Sequence, residues 1–258
     1  MNERRYLSSL LGGDDPVLGA RASTTAPAIV EVYGAIGLDF VWVDLEHTGS
    51  SPYDSRALDE LNRAADAAGI DLLVRLPSGD PHVVRKVLDT GIKSILIPRV
   101  DSAAEIRGAV EASRFVYEGR PGNYGAGAGR DSGWGNVSSL NVADHDEAVS
   151  VGCMIESRTA VENLDEILRV PELGFAFVGP ADLSISMGHP FEKDHPDVRD
   201  AIEAVREACL DADVPVGWVT NDTDDAADAI ERGYRLLRLG DEIASARSVL
   251  GSRLENLR

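Results

Sequence analysis

Eight short apolar runs, separated by helical patterns, constrain this sequence more than any other feature. They are VLGAR (17–21), FVWVDLE (40–46), DLLVRL (71–76), SILIPRV (94–100), VGCMIE (151–156), FAFVG (175–179), VPVGWV (214–219) and YRLLRLG (234–240). Most are rich in Val, Ile and Leu and do not alternate with polar residues. That pattern predicts strands covered on both faces. Between them, residues 55–69 are amphipathic and end at a glycine suited to a helix C-terminus. Asp80-Pro81 opens a second helix over 80–91, and Ser102 with Glu105 opens a third over 102–113 with capping-box spacing. The segments 159–170, 197–212 and 222–233 follow the same logic, and TTAPAIVEVYGAIG supplies a helix entered near Pro27. Eight strands alternating with helices predict a single (β/α)8 TIM barrel over residues 1–258. A doubly wound open sheet would carry a glycine-rich first turn, and LGARASTTAP holds no GxGxxG.

The longest interruption, residues 114–150, contains EGRPGNYGAGAGRDSGWG. It is too long for an ordinary connector and is expected, as an insertion after the fourth strand, to be a lid or a subunit-contact loop. A phosphate cradle is a weaker reading, since no GK[ST] closes the segment. The last helix, SARSVLGSRLENL, is expected to pack on its own barrel or to exchange with a neighbour.

Charge excludes several partners. Asp and Glu number 44 against 25 Lys and Arg, a net charge of −19, and the only lysines are Lys86, Lys93 and Lys193. Nucleic acid and anionic membranes would be repelled on average. A lysine-poor acidic surface is expected of a protein working in concentrated salt, where repulsion is screened within roughly 3 Å. No apolar stretch is long enough to span a membrane, and the polar N-terminus is unlike a signal peptide, so the cytoplasm is the expected location. Cys153 and Cys209 are too few for a disulfide framework. Cys153, inside an apolar run, reads as a small buried hydrophobe.

Candidate chemistry gathers at strand ends. Glu156 closes the fifth run and Asp182 follows the sixth. An acid in such a position suits a hard cation at the mouth of a parallel barrel, Mg2+ or Mn2+ with Co2+ as a further option. The alternative is that each acid caps a nearby helix. Arg75 ends the third run, where its planar fork suits the carboxylate of a 2-oxo acid or a salt bridge to Asp44 or Glu46. His47 ends DLEH and reads as a proton-transfer group or as a structural histidine. His189 and His195 flank the sixth loop; His82 and His145 lie in helix or linker settings.

The segments FVWVDLEHTGSS, LLVRLPSGDPHVVRKVLDTGIKSILIPRV, CMIESRTAVENLDEIL and VGPADLSISMGHP resemble the HpcH/HpaI aldolase family of class II 2-oxo-acid aldolases. The resemblance implies a metal-dependent (β/α)8 lyase that cleaves 4-hydroxy-2-oxo acids reversibly to pyruvate, or a related 2-oxo acid, and an aldehyde. It implies a homo-oligomer, a hexamer built as a trimer of dimers. Glu156 and Asp182 would hold the metal, and Arg75 would bind the pyruvyl group. His47 would move a proton through bound water, supported by Asp44. Asp89 would reach the histidine from a neighbouring subunit. Gly179, Pro180 and Ala181 would line the substrate, and Val219 would reach a neighbour's aldehyde pocket. Met154 stands where family members often carry Gln, which removes a hydrogen bond to pyruvate. YEGRPGNYGAG replaces the family's YPPxGxRG while keeping Arg120. A metal-dependent CoA-thioester lyase of the malyl- or citramalyl-CoA kind, a 2-oxo-acid decarboxylase and a non-catalytic sugar-acid binding protein are the alternatives. No lysine ends a strand, which disfavours a Schiff-base mechanism.

Overall fold

The computed structural model describes residues 4–136, 141–220 and 222–258, so residues 137–140 of the long interruption lie outside the described part. In chain order the strands are β1 (Val17–Ala22), β2 (Phe40–Asp44), β3 (Asp71–Arg75), β4 (Ser94–Ile97), β5 (Val116–Tyr117), β6 (Arg120–Pro121), β7 (Ser150–Ile155), β8 (Phe175–Val178), β9 (Val216–Val219) and β10 (Leu236–Asp241). The helices are α1 (Leu7–Leu11), α2 (Pro27–Ala35), α3 (Ser55–Ala68), α4 (Pro81–Leu88), α5 (Ala103–Ala112), α6 (Val142–Ala148), α7 (Arg158–Glu162), α8 (Leu164–Leu168), α9 (Pro180–Ser186), α10 (Pro196–Asp211), α11 (Thr223–Glu231) and α12 (Glu242–Glu255). β1, β2, β3, β4, β7, β8, β9 and β10 close in that order into an eight-stranded barrel, every neighbour parallel. The fold is the expected TIM barrel. Each of the eight apolar runs supplies one barrel strand, and β5 pairs only with β6 as a small antiparallel ribbon.

Two apolar layers explain why the runs do not alternate. Val41, Val43, Leu72, Val74, Ile95 and Ile155 face outward into the layer beneath the helices. Phe40, Trp42, Leu73, Leu96, Met154, Phe175, Phe177 and Leu236 face inward and fill the barrel. Trp42 and Phe177 meet edge to face with centroids 4.9 Å apart. Phe177 also lies where a Cβ on Gly217 would come within 2.2 Å of its ring, so glycine there admits the aromatic. Each buried aromatic ring contributes about 2–3 kcal/mol by removal from water. From below, α1 closes the barrel, with Leu7 and Leu11 packed into the inner cluster.

Helix ends follow the local signals. Asp54 and Asp80 accept backbone N–H bonds at the starts of α3 and α4, Gly69 ends α3 with φ 70°, and the Ser102–Glu105 capping box is complete. One expected helix is broken: residues 159–170 form α7 and α8, separated at Asn163. Its Nδ2 donates to Asp101 O (2.8 Å), tying the break to the loop after β4.

The glycine-rich interruption lies elsewhere than expected. It follows α5, not β4 directly, and in an alternating barrel a segment between a helix and the next strand emerges on the N-terminal face. There Lys93 Nζ binds the Asp131 carboxylate, and Tyr124 donates to Asp131 Oδ2 (3.1 Å). The segment therefore does not close over the C-terminal rim of its own barrel. It also contains α6, which carries the buried His145. At the chain's end α12 buries none of its residues, and Val249, Leu250 and Leu254 are exposed. Among the described residues no helix is long and apolar enough to cross a membrane.

Candidate functional site

The inward parity of each strand, followed one step past the apolar layer, assembles the site. Trp42 leads to Asp44, Leu73 to Arg75, Met154 to Glu156, Gly217 to Val219 and Leu236 to Arg238. Asp44, Arg75, Glu156 and Val219 stand at the C-terminal ends of their strands, and Arg238, within β10, is level with Val219; this is the end where (β/α)8 enzymes carry their chemistry.

Asp44 is fully buried and saturated. Its Oδ1 accepts from the backbone N–H of Glu46 (3.0 Å) and His47 (3.3 Å) and from Arg75 Nε (3.0 Å), while Oδ2 accepts from Arg75 Nη2 (2.5 Å). Burial works against its charge, but the Arg75 fork and the backbone donors outweigh it and hold the carboxyl below the usual carboxylate range. Arg75 Nη1 also lies 2.9 Å from Glu46 Oε2 and 3.7 Å from Met154 Sδ. The salt bridge and the rim position of Arg75 thus coexist. Asp44 orients the guanidinium, and Met154 Sδ meets its Nη1.

Across the mouth, negative charge is under-compensated. Glu156 is buried and its Oε1 accepts from the backbone N–H of Arg99 (2.7 Å). Burial, with the charges of Asp182 and Glu46, pushes its carboxyl up to about 7 against the opposing Arg99 N–H and Arg75. Glu46 is raised for the same leading reason, burial, with Asp44 and Asp182 adding to it against Arg75 and His47. Glu156 does not cap α7; Ser157 does, accepting from Ala160 N. Asp182 sits in the first turn of α9 without capping it. A Cβ on Gly179 would stand 2.7 Å from both Cβ and Oε2 of Glu156, so the glycine makes room for the carboxylate. Buried Pro180 and exposed Ala181 follow it along the rim. Acids at one rim, Glu156 and Glu46 being raised chiefly by burial, offer oxygen donors only and fit a hard divalent cation.

His47 is exposed on the rim, with its Nε2 3.6 Å from Glu46 Oε2. Asp89 is not brought to it within one chain. It caps the C-terminal end of α4 on the opposite face of the barrel, where Tyr124 donates to its Oδ1 (3.2 Å). Val219 packs on the inner cluster and pairs in register with Arg238, which puts its side chain at the barrel's mouth. Cys153 is buried, and burial raises its thiol, in keeping with a hydrophobic role.

The sequence reading left three groups without a role of their own. Glu46 was read as an acid ending the second run and as a partner of Arg75, although DLEH puts it between two site residues. Arg99, at φ 54°, aims its N–H at Glu156, for which a lone Pro-Arg dipeptide is no signal. The third is a group of metal-ligand type: His189, His195 and Asp197 bring ligand atoms within 4.8 Å of one another. The two imidazoles stack at 3.4 Å, and Asp197 Oδ2 lies 3.6 Å from His189 Nε2.

Residues 22–248 match the HpcH/HpaI aldolase/citrate lyase family. The chain is 32% identical over 249 residues to 2-keto-3-deoxy-L-rhamnonate aldolase of Klebsiella pneumoniae, covering 96% of this chain and 91% of that protein. It is 30% identical over 235 residues to hydroxypyruvate/pyruvate aldolase of Roseobacter denitrificans, covering 91% and 90%. An HpcH/HpaI aldolase/citrate lyase family protein from Burkholderia cenocepacia superposes with a TM-score of 0.89 at 30% identity, covering 98% of each chain. With an eight-stranded barrel, a family match over most of its length and relatives similar nearly end to end, the chain belongs to the HpcH/HpaI aldolase/citrate lyase family.

Proposed function

We propose that this protein is a divalent-metal-dependent aldolase that cleaves 4-hydroxy-2-oxo acids to pyruvate, or a related 2-oxo acid, and an aldehyde. The observation that carries the reading is the rim itself: Glu156, buried and raised by burial and by the charges of Asp182 and Glu46, shares the barrel mouth with an Arg75 fork locked by Asp44 and paired with Glu46. Glu156 and Asp182 would hold the cation, Mg2+ or Mn2+. When bound, it supplies Lewis acidity to the oxygens of a 2-oxo acid.

The chain's own groups do the rest. Arg75 orients the carboxylate and faces the negative charge that develops on the 2-oxo oxygen. His47 accepts the proton of the C4 hydroxyl, assisted by Asp89 from a neighbouring copy. The C3–C4 bond breaks, its electron pair passes into C2–C3, and the aldehyde leaves. Protonation at C3 then gives pyruvate. Gly179, Pro180 and Ala181 would line the acid, the glycine leaving room beside Glu156. The exposed apolar residues of α12 are consistent with burial against another copy, in a homo-oligomer such as the hexamer implied by the resemblance. The names of similar relatives, two aldolases acting on 2-oxo acids, support the same substrate class.

The test is exchange of pyruvate C3 protons for deuterium, followed by NMR with Mg2+, with Mn2+ and with chelator, at low and high salt. Metal-dependent exchange is expected. Its absence with every metal would overturn the reading.

A further inference from the structure

The inward rim carries a cationic position that this mechanism leaves unused. Arg238 stands on β10 with the inward parity of Leu236, in register with Val219 of β9 and Gly19 of β1. Its guanidinium carbon lies 5.5 Å from the centre of the Trp42 ring, and that of Arg75 lies 5.8 Å from the same ring. Arg75 is engaged by Asp44 and Glu46. Arg21, on β1, reaches Asp241 Oδ2 (3.1 Å), whose other oxygen caps α12 by accepting from Ala244 N (2.8 Å). Arg238 has no such partner. Among the described residues its side chain makes no hydrogen bond or ion pair, and its Nε is buried without an acceptor, as is Arg21 Nε.

The surroundings do not remedy this. Burial lowers the Arg238 guanidinium to about 10, with Arg21 and Arg75 adding to the depression and Asp241 and Asp44 opposing it. Both of those carboxylates already serve another arginine. A partly buried guanidinium whose Nε is shut away from water without an acceptor is costly to hold, and stacking on the Trp42 ring offsets only part of that cost. The arrangement is therefore incomplete until an anion enters.

Position decides which anion. Around the closed barrel β1 lies opposite β7, so Arg21 faces Glu156 across the mouth, with Arg238 beside it. A substrate whose 2-oxo acid end rests at Arg75 and Glu156 would extend its other end toward Arg238. We propose that Arg238, flanked by Arg21, is the receptor for an anionic group, a carboxylate or a phosphate, carried on the aldehyde half of the substrate. This rests on the aldolase reading and narrows its substrates to those with charge at both ends. A guanidinium fork recognises either anion through paired N–H donors.

The experiment compares aldol addition of pyruvate to 4-oxobutanoate, to glyceraldehyde 3-phosphate and to butanal, a neutral aldehyde of similar length. Wild type, Arg238→Leu and Arg238→Lys are measured, with Tm checking that each folds. The kcat/KM ratio of an anionic aldehyde over butanal is expected to fall at least tenfold in Arg238→Leu and less in Arg238→Lys. The anion with the larger fall is the one the site takes. Arg238→Leu is also expected to raise Tm, since a partly buried cation with an unsatisfied Nε is removed. A ratio within twofold of wild type for both anions overturns the proposal, and if pyruvate exchange is intact the aldolase reading survives it. If wild type shows no exchange or addition, calorimetric titration with inorganic phosphate decides. At least fivefold weaker binding to Arg238→Leu supports the anion receptor, and equal affinity overturns it.

Discussion

The two ends of the barrel treat buried charge in opposite ways. On the N-terminal face the buried ions among the described residues have close partners. Arg4 Nη2 lies 2.8 Å from Asp71 Oδ1, and Asp71 Oδ2 accepts from Leu7 N (2.9 Å) and Ser94 Oγ (2.6 Å). Lys93, Asp131 and His145 form a second closed group, with His145 Nδ1 3.0 Å from Asp131. On the C-terminal rim the Asp44–Arg75 pair is saturated, but Glu46 and Glu156 are raised and Arg238 is unpartnered. Matched charge holds the plug and the insertion in place. Unmatched charge, held by a rigid strand end, is what a ligand can complete.

That contrast breaks most sharply at Glu156. Glu156→Gln is expected to lower metal-dependent pyruvate exchange by roughly 10³-fold while leaving Tm unchanged or raised, because a crowded carboxylate becomes neutral. Undiminished exchange would show that this acid does not hold the cation. At the other end Asp71→Asn should do the reverse. It removes the charge opposite Arg4, and urea unfolding is expected to show a loss of about 3–5 kcal/mol with kcat little altered per folded molecule. A loss within experimental error would mean the face is not held by that pair.

Acid should weaken the same face. Burial opposes the charge of Asp131, but the His145 hydrogen bond and the Lys93 charge prevail and lower its carboxyl to about 2. The folded value lies below the unfolded value of about 3.9. Its contribution of about 2 kcal/mol is therefore complete above roughly pH 4 and is lost as the pH falls through about 2. The stability gap between wild type and Asp131→Asn should accordingly narrow from pH 7 to pH 3, and a constant gap would remove the carboxylate from the explanation. The smallest effect separates two acid-bearing parts of the rim. His195 caps α10 by accepting from Asp197 N, so His195→Ala should cost about 1 kcal/mol. It should leave Mn2+ stoichiometry as in wild type, whereas Glu156→Gln lowers it; the opposite pattern would move the ion to the histidine cluster.

Much of the barrel was legible because its strands are buried on both faces. Runs such as FVWVD and FAFV have no polar face to show, and the acids and arginines that end them stand out. Asp44, Arg75 and Glu156 could be found in this way. The insertion was placed on the wrong face although the helix before it, 102–113, was read: a segment that follows a helix returns to the N-terminal face once the barrel closes. The N-terminal plug was also hidden: LSSLL is too short for periodicity to reveal that Leu7 and Leu11 enter the barrel floor.

By itself the sequence determined the fold class, the family resemblance and the strand-end residues, because burial on both faces and local capping are written in neighbouring positions. Tertiary structure alone decided which charges are matched. Pairing depends on side chains from strands far apart in the chain meeting around a closed ring. Arg75 and Asp44, 31 residues apart, neutralise each other, while Arg238 on the last strand reaches the same ring of Trp42 and finds every nearby carboxylate already taken.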